Sequence, residues 1–199
     1  MARKGMVIDL KRCIGCQACT VACKAENGTG PRVFWTRVLE TESGKFPQVR
    51  RDFLPILCNH CQDPVCKTVC PTGATYQRPD GVVLINKEKC IGCRACITAC
   101  PYHVRFYRRE SRTYYPQGAT PYEQMQATEQ NGIVTKCTFC AHRVDKGLVP
   151  ACVQACLTNA RTFGDLDDPL SPVSHVLRER HPFQLRPEMG TDPSVIYLP

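Results

Sequence analysis

Residues 90–101 read Cys90-Ile91-Gly92-Cys93-Arg94-Ala95-Cys96-Ile97-Thr98-Ala99-Cys100-Pro101, and residues 13–23, CIGCQACTVAC, match the first eleven of them at 8 of 11 positions. An internal repeat is read before any fold is assigned, because it sets the unit of architecture. The first copy supplies Cys13, Cys16, Cys19 and Cys23; the second supplies Cys90, Cys93, Cys96 and Cys100. Two further groups follow the same idea with one gap enlarged: Cys58, Cys61, Cys66, Cys70 (x2, x4, x3) and Cys137, Cys140, Cys152, Cys156 (x2, x11, x3). All 16 cysteines of the 199-residue chain fall into these four groups of four. Proline follows the last cysteine in groups two and three, as Pro71 and Pro101, while Lys24 and Leu157 take that place in groups one and four.

Working outward, Val7–Leu10 and Val82–Ile85 are short extended segments leading into the two copies, and Pro71–Ala74 followed by Asp80-Gly81 reads as a turn, a short strand and a hairpin loop. Single-turn helices are expected between the third and fourth cysteines. Composition narrows the class. The 43 % apolar fraction counts cysteine, and without those 16 residues about 35 % remains, a thin aliphatic core. Cysteine at this density is typical of secreted disulfide scaffolds, yet no apolar stretch of signal-peptide length precedes Cys13, so export through a signal of its own is not expected. No run approaches the roughly 20 apolar residues of a membrane span. Metal is the remaining use for the thiols.

The spacing specifies which metal chemistry. Three thiolates from one tight loop can converge on a cubane, with Gly15, Ala18, Gly92 and Ala95 letting backbone approach. The fourth cysteine lies a helical turn away and ligates the neighbouring cluster, the logic of the Cys-x2-Cys-x2-Cys-x3-Cys-Pro run. Groups two and three therefore pair, giving Cys58, Cys61, Cys66 with Cys100, and Cys90, Cys93, Cys96 with Cys70. Groups one and four pair likewise, giving Cys13, Cys16, Cys19 with Cys156, and Cys137, Cys140, Cys152 with Cys23. Four [4Fe-4S] clusters in one two-lobed body follow. Structural zinc sites would also use thiolates, but they do not require a fourth cysteine at x3 followed by proline; disulfides are the other alternative. His60 and His142 sit inside groups two and four, where hydrogen bonding near a cluster or plain exposure is expected before ligation, and His103, His175 and His181 carry no signal.

No dinucleotide loop, P-loop or nucleophilic constellation is present, and every cysteine has a ligand role. The chain is thus expected to hold and pass electrons without a catalytic site of its own. The motifs CIGCQAC (13–19), CNHCQDPVC (58–66), CPTGA (70–74), CIGCRACITACPY (90–102) and CTFCAHR (137–143), with the x11 filler Ala141–Gly147, Phe163–Pro169, Met6–Asp9 and Leu185–Thr191, together resemble the four-cluster electron-transfer subunits of the complex iron–sulfur molybdoenzymes. The resemblance is nearest to the small subunits of polysulfide, thiosulfate, tetrathionate and arsenate reductases, and more distant to dimethyl sulfoxide reductase. Unlike the nitrate-reductase relatives, this chain keeps Cys93; unlike the formate-dehydrogenase relatives, its tail after Asp165 is polar and proline-rich.

The resemblance implies an α+β fold of two tandem modules of bacterial ferredoxin type, each with two clusters, built from short strands, short helices and long loops. Residues 1–30 and 133–165 would form one module, 50–110 the other, 111–132 an insertion loop and 166–199 an extended C-terminal arm. It also implies a large partner subunit holding a molybdenum or tungsten bis-pterin, and a quinone-linked membrane subunit or another redox partner. The setting would be anaerobic respiration on a sulfur or arsenic oxyanion, on the periplasmic face through co-export, with a cytoplasmic location or an independent soluble polyferredoxin as alternatives. The stretch Arg105-Phe106-Tyr107-Arg108-Arg109 with Tyr114-Tyr115-Pro116 is expected to contact a partner subunit, not nucleic acid. The arm, with one helical segment near Val173–Arg180, is expected to wrap a neighbour, so that deleting residues 182–199 would weaken assembly and spare cluster content.

The formal charge of +8 fits this reading. Each cluster with its four thiolates carries roughly −2 when oxidised, so four bring the loaded chain near neutrality. Nucleic acid loses its electrostatic support. With the clusters replacing a thin aliphatic core, the iron-free chain is expected not to fold; a native-like circular dichroism spectrum from cluster-free protein would contradict this.

Overall fold

The structure, a computed structural model, describes residues 2–109, 120, 121, 124, 130–178 and 180–199. It is a mixed α+β arrangement of short strands and mostly single-turn helices. Strand β1 (Lys4–Asp9) is the middle of a three-stranded sheet. Met6, Val7 and Ile8 are all buried, the unbroken apolar run expected of a strand covered on both faces.

The repeat units take shape around the cysteines. β2 (Thr36–Lys45) and β3 (Gln48–Leu57) form a long antiparallel hairpin, β4 (Thr75–Gln77) pairs with β5 (Val83–Ile85), and β6 (Arg105–Arg108) pairs with β7 (Ile133–Lys136). The β4–β5 hairpin is the one marked by Asp80-Gly81: Gly81 takes a φ of 80°, and the Arg78 amide donates to Val82. The β2–β3 hairpin turns beside Gly44, whose φ is 94°, with Pro47 at its tip. Most of its outer half, from Glu40 to Asp52, is exposed and polar, so it lacks the alternation of a half-buried strand.

Four short helices, α2 (Val65–Thr68), α3 (Ala95–Thr98), α4 (Ala141–Val144) and α5 (Ala151–Gln154), fill the cysteine loops. The helix α1 (Ala18–Asn27) runs ten residues instead of one turn. The absence of a following proline permits this extension without dictating it, since α5 also stops after one turn although Leu157 follows the last cysteine of its group. Groups two and three place proline after the fourth cysteine, which withholds a backbone donor and disfavours helix in the preceding residue; group one has Lys24 there. The helix continues until Gly28, whose φ of 55° supplies a left-handed cap with its amide on the Lys24 carbonyl.

The first sheet corrects the reading of the tail. β8 (Arg161–Asp165) lies antiparallel to β1 on one side, and β9 (Val195–Leu198) lies parallel to it on the other. Residues 166–199 are therefore not an arm held out for a neighbour. The helix α6 (Pro172–Arg178) covers this sheet where helix was expected, and the chain then returns so that Val195, Tyr197 and Leu198 become fully buried. The Tyr197 hydroxyl donates to the Pro55 carbonyl at 2.9 Å. Apolar Val-Ile-Tyr-Leu with strand register outweighs the proline content upstream. Strand pairs also run across the expected boundaries: β1 pairs with β9, and β6 pairs with β7. The insertion 111–132, including Tyr114-Tyr115-Pro116, lies largely outside the described residues.

Deleting residues 195–199 is expected to destabilise the whole chain and lower its iron content, because each buried side chain of β9 contributes about 1.5–3 kcal/mol. Thermal unfolding and iron analysis of the truncated protein check this; intact iron with weakened subunit assembly would restore the free-arm reading.

Candidate metal centres

Each cysteine group begins with a Cys-x-x-Cys loop whose second intervening residue has positive φ: Gly15 (70°), His60 (43°), Gly92 (68°) and Phe139 (52°). The left-handed turn reverses the backbone between the two cysteines and brings both thiols toward one side. In groups one and three, glycine takes this conformation without a Cβ penalty. It also makes room: a Cβ on Gly92 would lie 2.0 Å from the Gly132 carbonyl oxygen. In groups two and four the strained position is held by packing, since the His60 and Phe139 rings stack with centroids 3.7 Å apart.

Four sets of thiols result. Cys13, Cys16, Cys19 and Cys156 line one cavity; Cys58, Cys61, Cys66 and Cys100 line another; Cys70, Cys90, Cys93 and Cys96 line a third. Cys23, Cys137, Cys140 and Cys152 are all buried and lie within electrostatic reach of one another. Asn27 of α1 points its amide at both Cys23 and Cys140, 3.6 and 3.9 Å from their sulfurs. All 16 thiols are free of disulfides. Among the described residues, no group of three or more His, Cys, Asp and Glu side chains is disposed to hold a metal ion. Four thiolates on a single zinc stand about 3.8 Å apart, as bond lengths of about 2.3 Å require.

The surroundings of the sulfurs are those of buried anions. Backbone amides of Thr75, Val134, Phe139 and Ala160 donate to the sulfurs of Cys70, Cys90, Cys137 and Cys156 at 3.4, 3.5, 3.4 and 3.2 Å. Burial above all pushes the thiols of Cys61 and Cys152 up to about 12 and about 11, and raises Cys137 well above the ordinary value. At Cys70 burial acts the same way, but the amides of Thr75, Thr72 and Ala74 and the Thr72 hydroxyl outweigh it and lower the thiol. Thiols so deeply buried ionise through a coordinating metal, which deprotonates them outright.

Positive charge is buried beside them. Arg105, Lys136 and Arg161 are each at most 4 % exposed. The Arg105 guanidinium donates to the Cys66 sulfur at 2.9 Å, and Arg161 donates to Cys19 at 3.5 Å. Lys136 donates to the carbonyls of Val83 and Cys137. Burying such ions without compensation costs several kcal/mol each; anionic sulfur centres supply that compensation, so the residues present fit iron–sulfur clusters. Sequence reasoning misses these cations as site residues. It places Arg105 in a partner-contacting basic stretch, whereas Arg105 and Arg108 are buried and Tyr107 carries Arg94 over its ring at 3.8 Å. A usable signal exists: Arg105 and Arg161 both stand five residues after the last cysteine of their groups.

The histidines separate. His142 is half exposed and bonds Glu26 at 2.7 Å, tying α4 to α1 together with Arg143. His60 is fully buried, accepts the Val83 amide on Nδ1 at 3.1 Å, and has Nε2 without a hydrogen-bond partner. Burial, with Lys136 and Arg105 nearby, holds its pKa well below the ordinary value, so it is neutral. The tail also reaches a site, since Thr191 lines the cavity of Cys58 and bonds the Tyr102 hydroxyl at 2.6 Å.

The profile of the 4Fe-4S dicluster domain matches residues 49–115 and 112–166, and that of a 4Fe-4S binding domain matches residues 4–25. The arsenate respiratory reductase iron–sulfur subunit ArrB of Shewanella sp. is 43 % identical over 98 % of this chain and 96 % of its own length. The chain belongs to the 4Fe-4S iron–sulfur subunits of the molybdoenzyme reductases. The tetrathionate reductase B subunit of Salmonella typhimurium is 42 % identical over 98 % of this chain and 72 % of its own length, and the selenate reductase B subunit of Mesobacillus selenatarsenatis is 42 % identical over 97 % and 70 %. Within this family fold, Gly92→Ala is expected to cost about 1–3 kcal/mol of backbone strain and to lower iron content. Denaturant unfolding and iron per chain measure both, and a variant unchanged in each would show that the turn tolerates a side chain.

Proposed function

We propose that this chain is an electron wire of four [4Fe-4S] clusters, held by Cys13, Cys16, Cys19 and Cys156; by Cys23, Cys137, Cys140 and Cys152; by Cys58, Cys61, Cys66 and Cys100; and by Cys70, Cys90, Cys93 and Cys96. The observation that carries this reading is the gathering of the thiols into four sets, each drawing one cysteine from a second group. Zinc is disfavoured by the cysteine pattern, since a structural zinc site does not require a fourth cysteine at x3 followed by proline. Each cluster supplies one-electron chemistry at a potential set by its surroundings. The protein positions the sulfurs, shields them from water and donates hydrogen bonds to them.

The order along the wire follows from the contacts. The set of Cys70 is joined to the set of Cys58 by exchange of fourth cysteines, and the set of Cys23 to the set of Cys13 in the same way. Between the pairs, Cys58 lies within electrostatic reach of Cys137, beside the His60–Phe139 stack. The wire thus runs from the set of Cys70 through those of Cys58 and Cys23 to that of Cys13, in two ferredoxin-type modules. Its two ends lead to a molybdenum or tungsten bis-pterin catalytic subunit and to a quinone-linked membrane subunit or another redox partner. Relatives named for arsenate and tetrathionate reductases support a respiratory complex acting on an arsenic or sulfur oxyanion. Among the described residues, no helix is long and apolar enough to cross a membrane; the chain reaches the membrane through its partners, on the periplasmic face.

The test is anaerobic purification of the chain from its native source with analysis of iron, acid-labile sulfide and co-purifying polypeptides. About 16 iron and 16 sulfide per chain, with a large molybdopterin-containing subunit, are expected. About four zinc without sulfide would overturn the cluster reading, and a cluster-loaded monomer exchanging electrons with unrelated donors would make it an independent carrier. Cys156→Ala is expected to abolish the cluster of Cys13, Cys16 and Cys19 while the cluster of Cys137, Cys140 and Cys152 persists. Loss of the latter with retention of the former, read by electron paramagnetic resonance, would reverse the exchange.

A further inference from the structure

Arg105 and Arg161 occupy equivalent places in the two halves of the repeat. Each is the first residue of a strand, β6 or β8, and each stands five residues after the last cysteine of its group, Cys100 or Cys156. Both are 4 % exposed. Each spends one donor on a threonine hydroxyl: Arg105 on Thr75 at 3.3 Å, Arg161 on Thr36 at 3.1 Å. Each directs another to a thiol sulfur, Cys66 at 2.9 Å and Cys19 at 3.5 Å. The contacts then cross between sets. Arg105 also lies within electrostatic reach of Cys96, which belongs with Cys70, and Arg161 lies within electrostatic reach of Cys152, which belongs with Cys23. Among the described residues no carboxylate pairs with either guanidinium.

We infer that each arginine is a charge shared by the two clusters of its pair, raising both reduction potentials together: Arg105 for the clusters of Cys58 and Cys70, Arg161 for those of Cys13 and Cys23. The inference rests on the four-cluster reading above and adds a tuning residue to each half. A guanidinium stays protonated, so its charge is constant across the working pH range. Positive charge and hydrogen bonds at sulfur favour the more negative, reduced cluster, and hydrogen bonding to the sulfurs is one of the terms that set cluster potential. Because one guanidinium hydrogen-bonds a sulfur of one cluster and lies within electrostatic reach of a sulfur of the other, it stabilises the electron on either side of the step. When an electron leaves one cluster and reduces its neighbour, the same cation compensates the charge before and after, so the two levels stay close. A lysine would present a point charge; the planar fork of arginine serves a sulfur and a hydroxyl at once and spreads its charge toward the second set. Arg105 and Arg161 are positioning residues, acting on potential and not on substrate.

The experiment is redox titration monitored by electron paramagnetic resonance on the cluster-loaded protein, comparing the parent with Arg105→Gln, Arg161→Gln, the double variant, and the corresponding lysine variants, each with iron analysis. Arg105→Gln is expected to lower the reduction equilibrium constant of two clusters at least tenfold, which is about 59 mV for a one-electron couple, leaving the other two unmoved. Arg161→Gln is expected to move the complementary two, so that the double variant moves all four. The lysine variants are expected to move the same pairs by about threefold, since charge is kept and geometry lost. Single variants that move no cluster, one cluster, or all four alike would overturn the inference. If a glutamine variant loses iron, its lysine counterpart decides by the same pairwise criterion. A parent protein without four clusters would instead overturn the four-cluster reading, so the two failures are distinct.

Discussion

The structure depends on gathering cysteine sulfurs into four sets in a chain of 199 residues, with only Cys16 and Cys93 of the sixteen exposed. Thiolates in a low-dielectric interior are unfavourable unless cations, hydrogen-bond donors or metal compensate them. Each level of the fold bears on that constraint. The left-handed residue in every Cys-x-x-Cys loop turns two sulfurs toward one centre. Strand amides then donate to them, and buried Arg105 and Arg161 offset their charge. Two of the chain's 26 basic side chains, Arg105 and Arg161, thus lie buried beside sulfur.

Each half solves the same problem twice with different chemistry. Groups one and three use glycine in the turn, because Gly15 lies against Phe53 and Gly92 against the Gly132 carbonyl, where a side chain has no room. Groups two and four use His60 and Phe139, whose rings stack on each other where the halves meet. A histidine with one ring nitrogen bonded to a backbone amide and the other unpartnered is an unusual core residue. Its neutrality and flat contact with Phe139 let two strained turns sit face to face, close to Cys58 and Cys137.

Much of this is legible in the residues. The spacing of Cys90, Cys93, Cys96 and Cys100, repeated at residue 13, points to cluster loops, and Asp80-Gly81 marks the β4–β5 hairpin. Other features leave no local trace. The β2–β3 hairpin has too polar an outer half to announce itself as strand. The long helix α1 is permitted by Lys24 standing where groups two and three have proline, but Leu157 stands at that place in group four and α5 keeps a single turn. The proline-rich tail resembles an arm because backbone composition reports local stiffness and says nothing of what Tyr197 and Leu198 are buried against.

The sequence by itself pointed to the chemistry: a cysteine pattern whose two-residue gaps come from one tight turn and whose fourth member stands a helical turn further on. That is short-range geometry, set by a few φ and ψ angles. Only the tertiary structure decided what surrounds the sulfurs. That β9 closes the sheet beside β1, that Thr191 reaches the cavity of Cys58, and that Arg105 and Arg161 reach the sulfurs of Cys66 and Cys19 are contacts between residues far apart in the chain. Such contacts arise because burial of apolar surface and compensation of buried charge are satisfied by whatever the fold brings near, and no local sequence pattern encodes that choice.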